Sequence, residues 1–378
     1  MTERDPILLT PGPLTTRVET RRAMLRDWGS RDPAFIALTA ELRRRLLAVA
    51  GDRGTHAAVP IQGSGTFAVE AAVATLVGPA DKLLVLANGA YGERMAAIAK
   101  RMGRAVEALR WPEDRPVEAG RVAEALRADP AVTRVALVHC ETTTGLLNPL
   151  PEVARAVAEA GRPLLLDAMS SFGALELDIG SVPVACVLAS SNKCLEGVPG
   201  VGFALVERAM LERAAGASPS LSLDLHEQWR GFEKDGQWRF TPPVQVVAAL
   251  VDALRRLEAE GGPAARLARY RDNFRTLLGG MRRLGFELYL DEAAQSPIIA
   301  TFRMPAGRPF GFKPFYDALA ARGFLIYPGK LTRAETFRIG CIGALDRRDF
   351  ERLLAAVADV LETLGPGRAG AAYPARPD

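Results

Sequence analysis

The chain has 378 residues, with 48 Lys+Arg against 44 Asp+Glu for a formal net charge of +4, and 48% of its residues are hydrophobic. That balance is ordinary globular usage and excludes a disordered chain. No run approaches about 18 uninterrupted apolar residues, so no spanning helix is expected. At roughly 150 residues per domain, the length predicts two or three units, or one large unit with a smaller partner. The opening Met1-Thr2-Glu3-Arg4-Asp5-Pro6 lacks a basic segment followed by an apolar one, which predicts no secretory signal. Cys140, Cys186, Cys194 and Cys341 show no CxxC spacing and read as buried thiols of a cytoplasmic protein. A pI near 9.0 arises from dispersed Arg without a long basic block, so nucleic acid is not an expected partner.

In chain order, Ala57 to Ile61, Leu83 to Leu86, Val135 to Val138, Leu164 to Leu166 and Cys186 to Ala189 are short apolar runs that predict buried strands. Helical stretches alternate with them: Phe67 to Leu76, Glu93 to Met102, Val122 to Leu126 and Val153 to Ala160. Such alternation predicts an α/β fold with a mostly parallel sheet covered on both faces. Gly200 to Val206 reads as one further strand closing the block. Two long helices follow, one carrying Val247, Leu250, Val251, Leu254 and Leu257, the other running from about Ala264 to Leu284. Gly261-Gly262-Pro263 between them is the strongest boundary signal. Beyond it, strands at Ile298 to Phe302, Phe324 to Tyr327 and Phe337 to Ile339 and a helix from Phe350 to Leu364 predict a smaller α+β unit. The expected organisation is a large domain over 20–260 and a small domain over 261–365 joined by the N-terminal segment 1–19, with a flexible tail over 366–378.

Three features could carry chemistry. Gln62-Gly63-Ser64-Gly65-Thr66-Phe67-Ala68 leaves a strand and opens a helix, where glycines allow close approach and free amides stabilise an anion. It reads equally as a plain strand-to-helix turn. A dinucleotide site, as in a dehydrogenase-like or nucleotide-binding regulatory protein, needs an acid at the end of the next strand. That strand, Lys82 to Ala87, ends in Asn88-Gly89. Lys193 follows an apolar strand and precedes a glycine-rich turn, where desolvation favours a neutral amine, though most lysines are simply exposed. Asp167 ends Leu164-Leu165-Leu166, at the sheet edge where open α/β folds bind ligands, and could instead cap a turn. Together the three supply what pyridoxal phosphate needs: a phosphate cradle, a carboxylate for the ring nitrogen and a lysine for the aldehyde.

These stretches also resemble the class V aminotransferases of fold type I. The resemblance runs from Leu8-Leu9-Thr10-Pro11-Gly12-Pro13-Leu14 to Phe337-Arg338-Ile339-Gly340. Its most specific parts are His139-Cys140-Glu141-Thr142-Thr143-Thr144-Gly145 with Asn148-Pro149, Asp167-Ala168-Met169-Ser170-Ser171-Phe172-Gly173, Leu221-Ser222-Leu223-Asp224-Leu225 and Tyr327-Pro328-Gly329-Lys330. It implies a pyridoxal-phosphate homodimer with a shared active site and transfer of an amino group from 2-aminoethylphosphonate to pyruvate. Other class V transaminases act instead on alanine, serine or glyoxylate. By position, Lys193 holds the cofactor aldehyde and Asp167 its ring nitrogen, while Ser64, Gly65 and Thr66 hold the phosphate. Tyr91 stacks on the ring, where relatives often place a tryptophan. Thr143 bonds the ring hydroxyl or its surroundings, and Thr241 reaches the phosphate in the partner subunit. Arg338 binds the substrate's acid group, although a core-edge ion pair is an equally simple reading, and Thr15 adds a hydroxyl for a phosphonate unless it only caps the next helix. His139 has no Ser or Cys partner at a recognisable spacing and reads as structural, and no His/Cys/Asp cluster suggests a metal.

Overall fold

The small and branched apolar runs build one seven-stranded sheet, described here from a computed structural model covering residues 5–305, 311–329 and 335–364. The expected tail over 366–378 and Lys330 lie outside the described residues. The chain divides into two compact units. One comprises Thr16–Glu141 and Leu147–Arg266; the other comprises Met1–Thr15, Thr142–Leu146 and Leu267–Asp378.

In the first unit the strands are β1 (His56–Gln62), β2 (Lys82–Ala87), β3 (Ala105–Arg110), β4 (Val132–Val138), β5 (Leu164–Asp167), β6 (Cys186–Ser190) and β7 (Val201–Glu207). Their order across the sheet is β1-β7-β6-β5-β4-β2-β3. Only β7 runs against its neighbours, pairing antiparallel with both β1 and β6, while the other pairs are parallel. Burial on both faces explains why β2, β5 and β6 are almost uninterrupted Leu, Val and Ala. Pro60, which cannot donate to a ladder, is tolerated because β1 is an edge strand. The opposite edge, β3, escapes the sequence pattern: Ala-Val-Glu-Ala-Leu-Arg is only partly buried and never forms an apolar run.

Helices α1 (Pro33–Val49), α2 (Gly65–Leu76), α3 (Ala90–Arg101), α4 (Ala119–Ala128), α5 (Leu150–Glu159), α6 (Leu225–Asp235) and α7 (Val244–Glu260) complete this unit's main framework. Two of them, α1 and α6, are not in the sequence reading. Each nevertheless carries a start signal: Asp32 accepts from Ala34 N at 2.8 Å ahead of Pro33, and Asp224 accepts from Glu227 N at 3.0 Å. Gly261, at φ 107°, caps α7, and α8 (Gly262–Arg283) starts at once. The compact units divide five residues later, after Arg266.

The second unit has its own core around a three-stranded antiparallel sheet of β8 (Ile299–Arg303), β9 (Tyr327–Pro328) and β10 (Thr336–Gly340), with β10 central. Helices α9 (Phe312–Ala320) and α10 (Arg347–Leu364) contribute Phe315, Phe350 and Leu353 to it. The expected strand from Phe324 to Tyr327 is in fact two. Phe324–Leu325 pairs parallel with Ile7–Leu8, and Tyr327–Pro328 joins β10, the partner changing at the fully buried Ile326.

Phe337 packs its ring 5.4 Å from Phe286, 5.4 Å from Phe315 and 5.7 Å from Phe302. Phe337→Ala should therefore destabilise the protein by about 3–5 kcal/mol. Urea unfolding followed by tryptophan fluorescence and circular dichroism would measure it; a loss below about 1 kcal/mol would show that this aromatic cluster is not a stability centre.

Candidate active site

Strands β1, β2, β4, β5 and β6 run the same way, so the turns after them share one sheet edge, as open α/β folds require of a ligand site. A cavity of about 190 Å³ lies there. After β1 it is lined by Ser64, Gly65 and Thr66, and after β2 by Tyr91 and Arg94. Asp167 and Met169 follow β5, and Asn192 and Lys193 follow β6.

The first turn is built for close approach. Gly63 has φ 122°, and a Cβ on it would lie 2.6 Å from the Phe67 ring. A Cβ on Gly65 would lie 2.4 Å from Met169 Sδ. Ser64 is the N-cap of α2 without a side-chain cap bond, and no acceptor for the Gly65 and Thr66 amides is present among the described residues. Two such amides at a helix start bind an anion well.

Asp167 is buried. Its Oδ1 accepts from Met169 N at 2.9 Å and its backbone carbonyl from His139 N at 2.9 Å, while Oδ2 accepts no hydrogen bond among the described residues. Burial pushes its pKa up to about 6, against the opposing pulls of the Met169 amide and of the Lys193 and Arg94 cations. A ligand that presents a cationic N–H would hold this carboxylate ionised.

Tyr91 opens α3, and its amide donates to Glu141 Oε2 at 3.0 Å. Gly89 is obligatory beside it, because a Cβ there would lie 2.2 Å from Glu141 Cγ. One turn on, the Arg94 guanidinium stands 4.9 Å from the Tyr91 ring centroid. Neither Arg94 nor Glu141 was assigned a role from the sequence. The three-residue spacing from Tyr91 is the signal for Arg94, since residues i and i+3 share a helix face. Nothing comparable in the sequence marks Glu141.

The structure thus gathers Ser64, Gly65, Thr66, Tyr91, Asp167 and Lys193 about one cavity. Thr241 belongs to the same unit but is exposed, outside the residues lining that cavity. Thr143, Arg338 and Thr15 belong to the other unit. There Arg338 is buried and donates from Nε to Pro328 O at 3.0 Å and from Nη1 to Thr142 O at 2.9 Å. Thr15 Oγ1 accepts from Leu8 N at 2.8 Å. The next helix begins at Val18 with Arg17 as its N-cap, so Thr15 is not its cap. His139 does have a serine partner, Ser171 Oγ at 3.0 Å from Nδ1. Burial lowers its pKa to about 4, which leaves the ring neutral and structural.

Comparison with known proteins decides the family. The sequence profile described as class V aminotransferase matches residues 28–319. The chain belongs to the class V aminotransferases. It is 53% identical over 364 residues to a 2-aminoethylphosphonate–pyruvate transaminase of Pseudomonas fluorescens, covering 96% of this chain and 99% of that one. It is 52% identical over 371 residues to a second protein so named from a Polaromonas species, covering 98% and 100%. Among solved structures, an alanine–glyoxylate aminotransferase from a Nostoc species superposes with a TM-score of 0.88 at 26% identity, covering 95% and 96%. The α/β architecture is that of the fold type I class V aminotransferases.

The cavity of this class V aminotransferase fits pyridoxal phosphate on three independent counts: two amides with no acceptor among the described residues, the carboxylate of the buried Asp167, and a lysine amine. Without the cofactor, the raised pKa of Asp167 has a consequence for stability. A carboxyl whose folded pKa exceeds its unfolded one stabilises the fold below about pH 4 and loses that contribution as pH rises through about 6. In cofactor-free protein, Asp167→Asn should gain on the parent by up to a few kcal/mol between these limits. Urea melts across that range would check it, and a constant difference would contradict the raised pKa.

Proposed function

We propose that this class V aminotransferase uses pyridoxal phosphate to move the amino group of 2-aminoethylphosphonate to pyruvate, giving phosphonoacetaldehyde and alanine. The observation that carries the chemistry is the single cavity that unites Lys193, Asp167 and the Gly65 and Thr66 amides. The substrate reading is supported by the two relatives of that name, which match over nearly their whole lengths.

Pyridoxal phosphate, when bound, supplies an aldehyde that takes up the amino group and a ring that draws electrons from the carbon bearing it. The residues of the chain then divide the remaining work. Ser64, Gly65 and Thr66 bind the phosphate. Asp167 would keep a proton on the ring nitrogen, and Tyr91 would stack on the ring. The Lys193 amine would hold the cofactor's aldehyde and would carry the proton to and from the reacting carbon. Thr143 bonds the ring hydroxyl, Arg338 receives the acid group of each substrate in turn, and Thr15 offers a further hydroxyl to the phosphonate.

The working form in this proposal is a homodimer in which Thr241 of each subunit reaches the other's phosphate. The exposed apolar side chains of Leu221, Phe67 and Phe240 support it, the last two lining a shallow cavity of about 100 Å³ with Leu223. A cytoplasmic location is supported by the four cysteines, which are all buried and form no disulfide.

An amino-donor screen with pyruvate, read as alanine formed, tests the substrate; a preference for alanine with glyoxylate would move the protein to another branch of the family. Arg338→Ala should lower kcat/KM for donor and acceptor alike by about tenfold to a hundredfold, as loss of a charge-assisted contact does. Thr15→Ala should hurt 2-aminoethylphosphonate more than alanine as donor, and equal losses would remove Thr15 from the phosphonate site. Lys193→Ala should still bind the cofactor yet lose turnover by orders of magnitude.

A further inference from the structure

The turn that carries Lys193 is held from several sides. Glu196 has φ 60° and is the single non-glycine residue with positive φ among the described residues. Its amide donates to Lys193 O at 2.8 Å, which closes the turn. Gly197 N donates to Ser191 O at 2.9 Å, and a Cβ on Gly197 would lie 2.8 Å from that same oxygen. Left-handed backbone at a residue with a long side chain persists only where the surroundings over-determine it, and it collects at functional sites.

What over-determines it is a buried guanidinium. Arg266, in the first turns of α8, is 1% exposed. Its Nη1 donates to Cys194 O at 2.6 Å, the carbonyl next to Lys193, and lies 3.6 Å from Glu196 Oε1. Its Nε and Nη2 each lie 2.7 Å from Glu260 Oε2 at the end of α7. A charge taken this far out of water is costly unless its donors are used, and here the fork is tied to two carboxylates and one carbonyl. The turn is therefore gripped from behind by the α7–α8 junction.

We infer that Arg266 and Glu196 are positioning residues that fix where the Lys193 amine stands. The inference rests on the reading of Lys193 as the cofactor lysine. Neither residue lines the cavity. They act through the backbone of residues 193–196, and Glu260 acts through Arg266.

The test uses the cofactor-loaded enzyme. Arg266→Lys keeps a charge but loses the fork, and Glu196→Gln keeps the shape but loses the charge. Each should lower kcat about tenfold or more with KM little changed, as small displacements of a reacting group do. Each should also strip most of the visible circular dichroism of the bound cofactor, a signal that a purely structural tie would leave alone. Should Arg266→Lys fail to fold, Glu260→Gln carries the same expectation, because that carboxylate is partly exposed and its loss loosens the guanidinium without emptying its space. Folded variants with parental kcat and parental dichroism would overturn the inference. Borohydride reduction and peptide mapping of the parent separate the two levels. An adduct on Lys193 with unmoved variants sinks this inference alone, whereas an adduct on any other lysine sinks the site assignment and this inference with it.

Discussion

A carboxyl group taken out of water at the end of β5 is the constraint from which the site is organised. Burial alone holds the Asp167 proton up to about pH 6, and one backbone amide with two cations pulls the other way. Burial disfavours the ionised form of this carboxylate, and one of its oxygens lacks a donor among the described residues. Selection for folding alone replaces such a group by an apolar one of similar size. That an acid stands there instead is best explained by a ligand that completes it. Lys193 and Arg94 then have a second effect, because as cations lining the same cavity they keep it from becoming net negative.

The turns around that acid are locked to one another by missing side chains. Gly65 lets Met169 sit against the turn after β1, and Met169 in turn supplies the amide that holds Asp167. Gly89 lets Glu141 reach the start of α3 and hold the Tyr91 amide. Gly197 lets the Lys193 turn close on Ser191. Rigidity at this edge comes from backbone hydrogen bonds and close contact, which suits a site whose groups must hold positions to a fraction of an ångström.

Much of this was legible in the sequence, for identifiable reasons. Buried parallel strands are continuous apolar runs, so β2, β5 and β6 stood out, and with them the strand-end positions of Asp167 and Lys193. An edge strand such as β3 has no such run. Helices α1 and α6 have clear caps at Asp32 and Asp224, but their apolar positions are interrupted by Arg, Glu and Gln, which blurs the period. Within the site, glycines and strand-end charges were readable because they need only local geometry. Arg94 is marked only by its three-residue spacing from Tyr91, and Glu141, Glu196 and Arg266 were not readable, because their partners are distant in sequence. Arg266 in particular looks like one more arginine on an Arg-rich helix until α8 is placed against residues 194–196.

The reversed strand β7 has a consequence of its own. It lies between β1 and β6, and its first residues bond to both turns: Gly63 N donates to Gly200 O at 2.9 Å, and Ser191 N donates to Val201 O at 3.0 Å. Two neighbouring strands stand about 4.8 Å apart, so β1 and β6 are held about 10 Å from each other. The turn after β1 and the turn that carries Lys193 therefore leave the sheet from strands two hydrogen-bonding repeats apart. Sliding either turn away from the other would break ladder bonds to β7, so the reversed strand acts as a spacer between them.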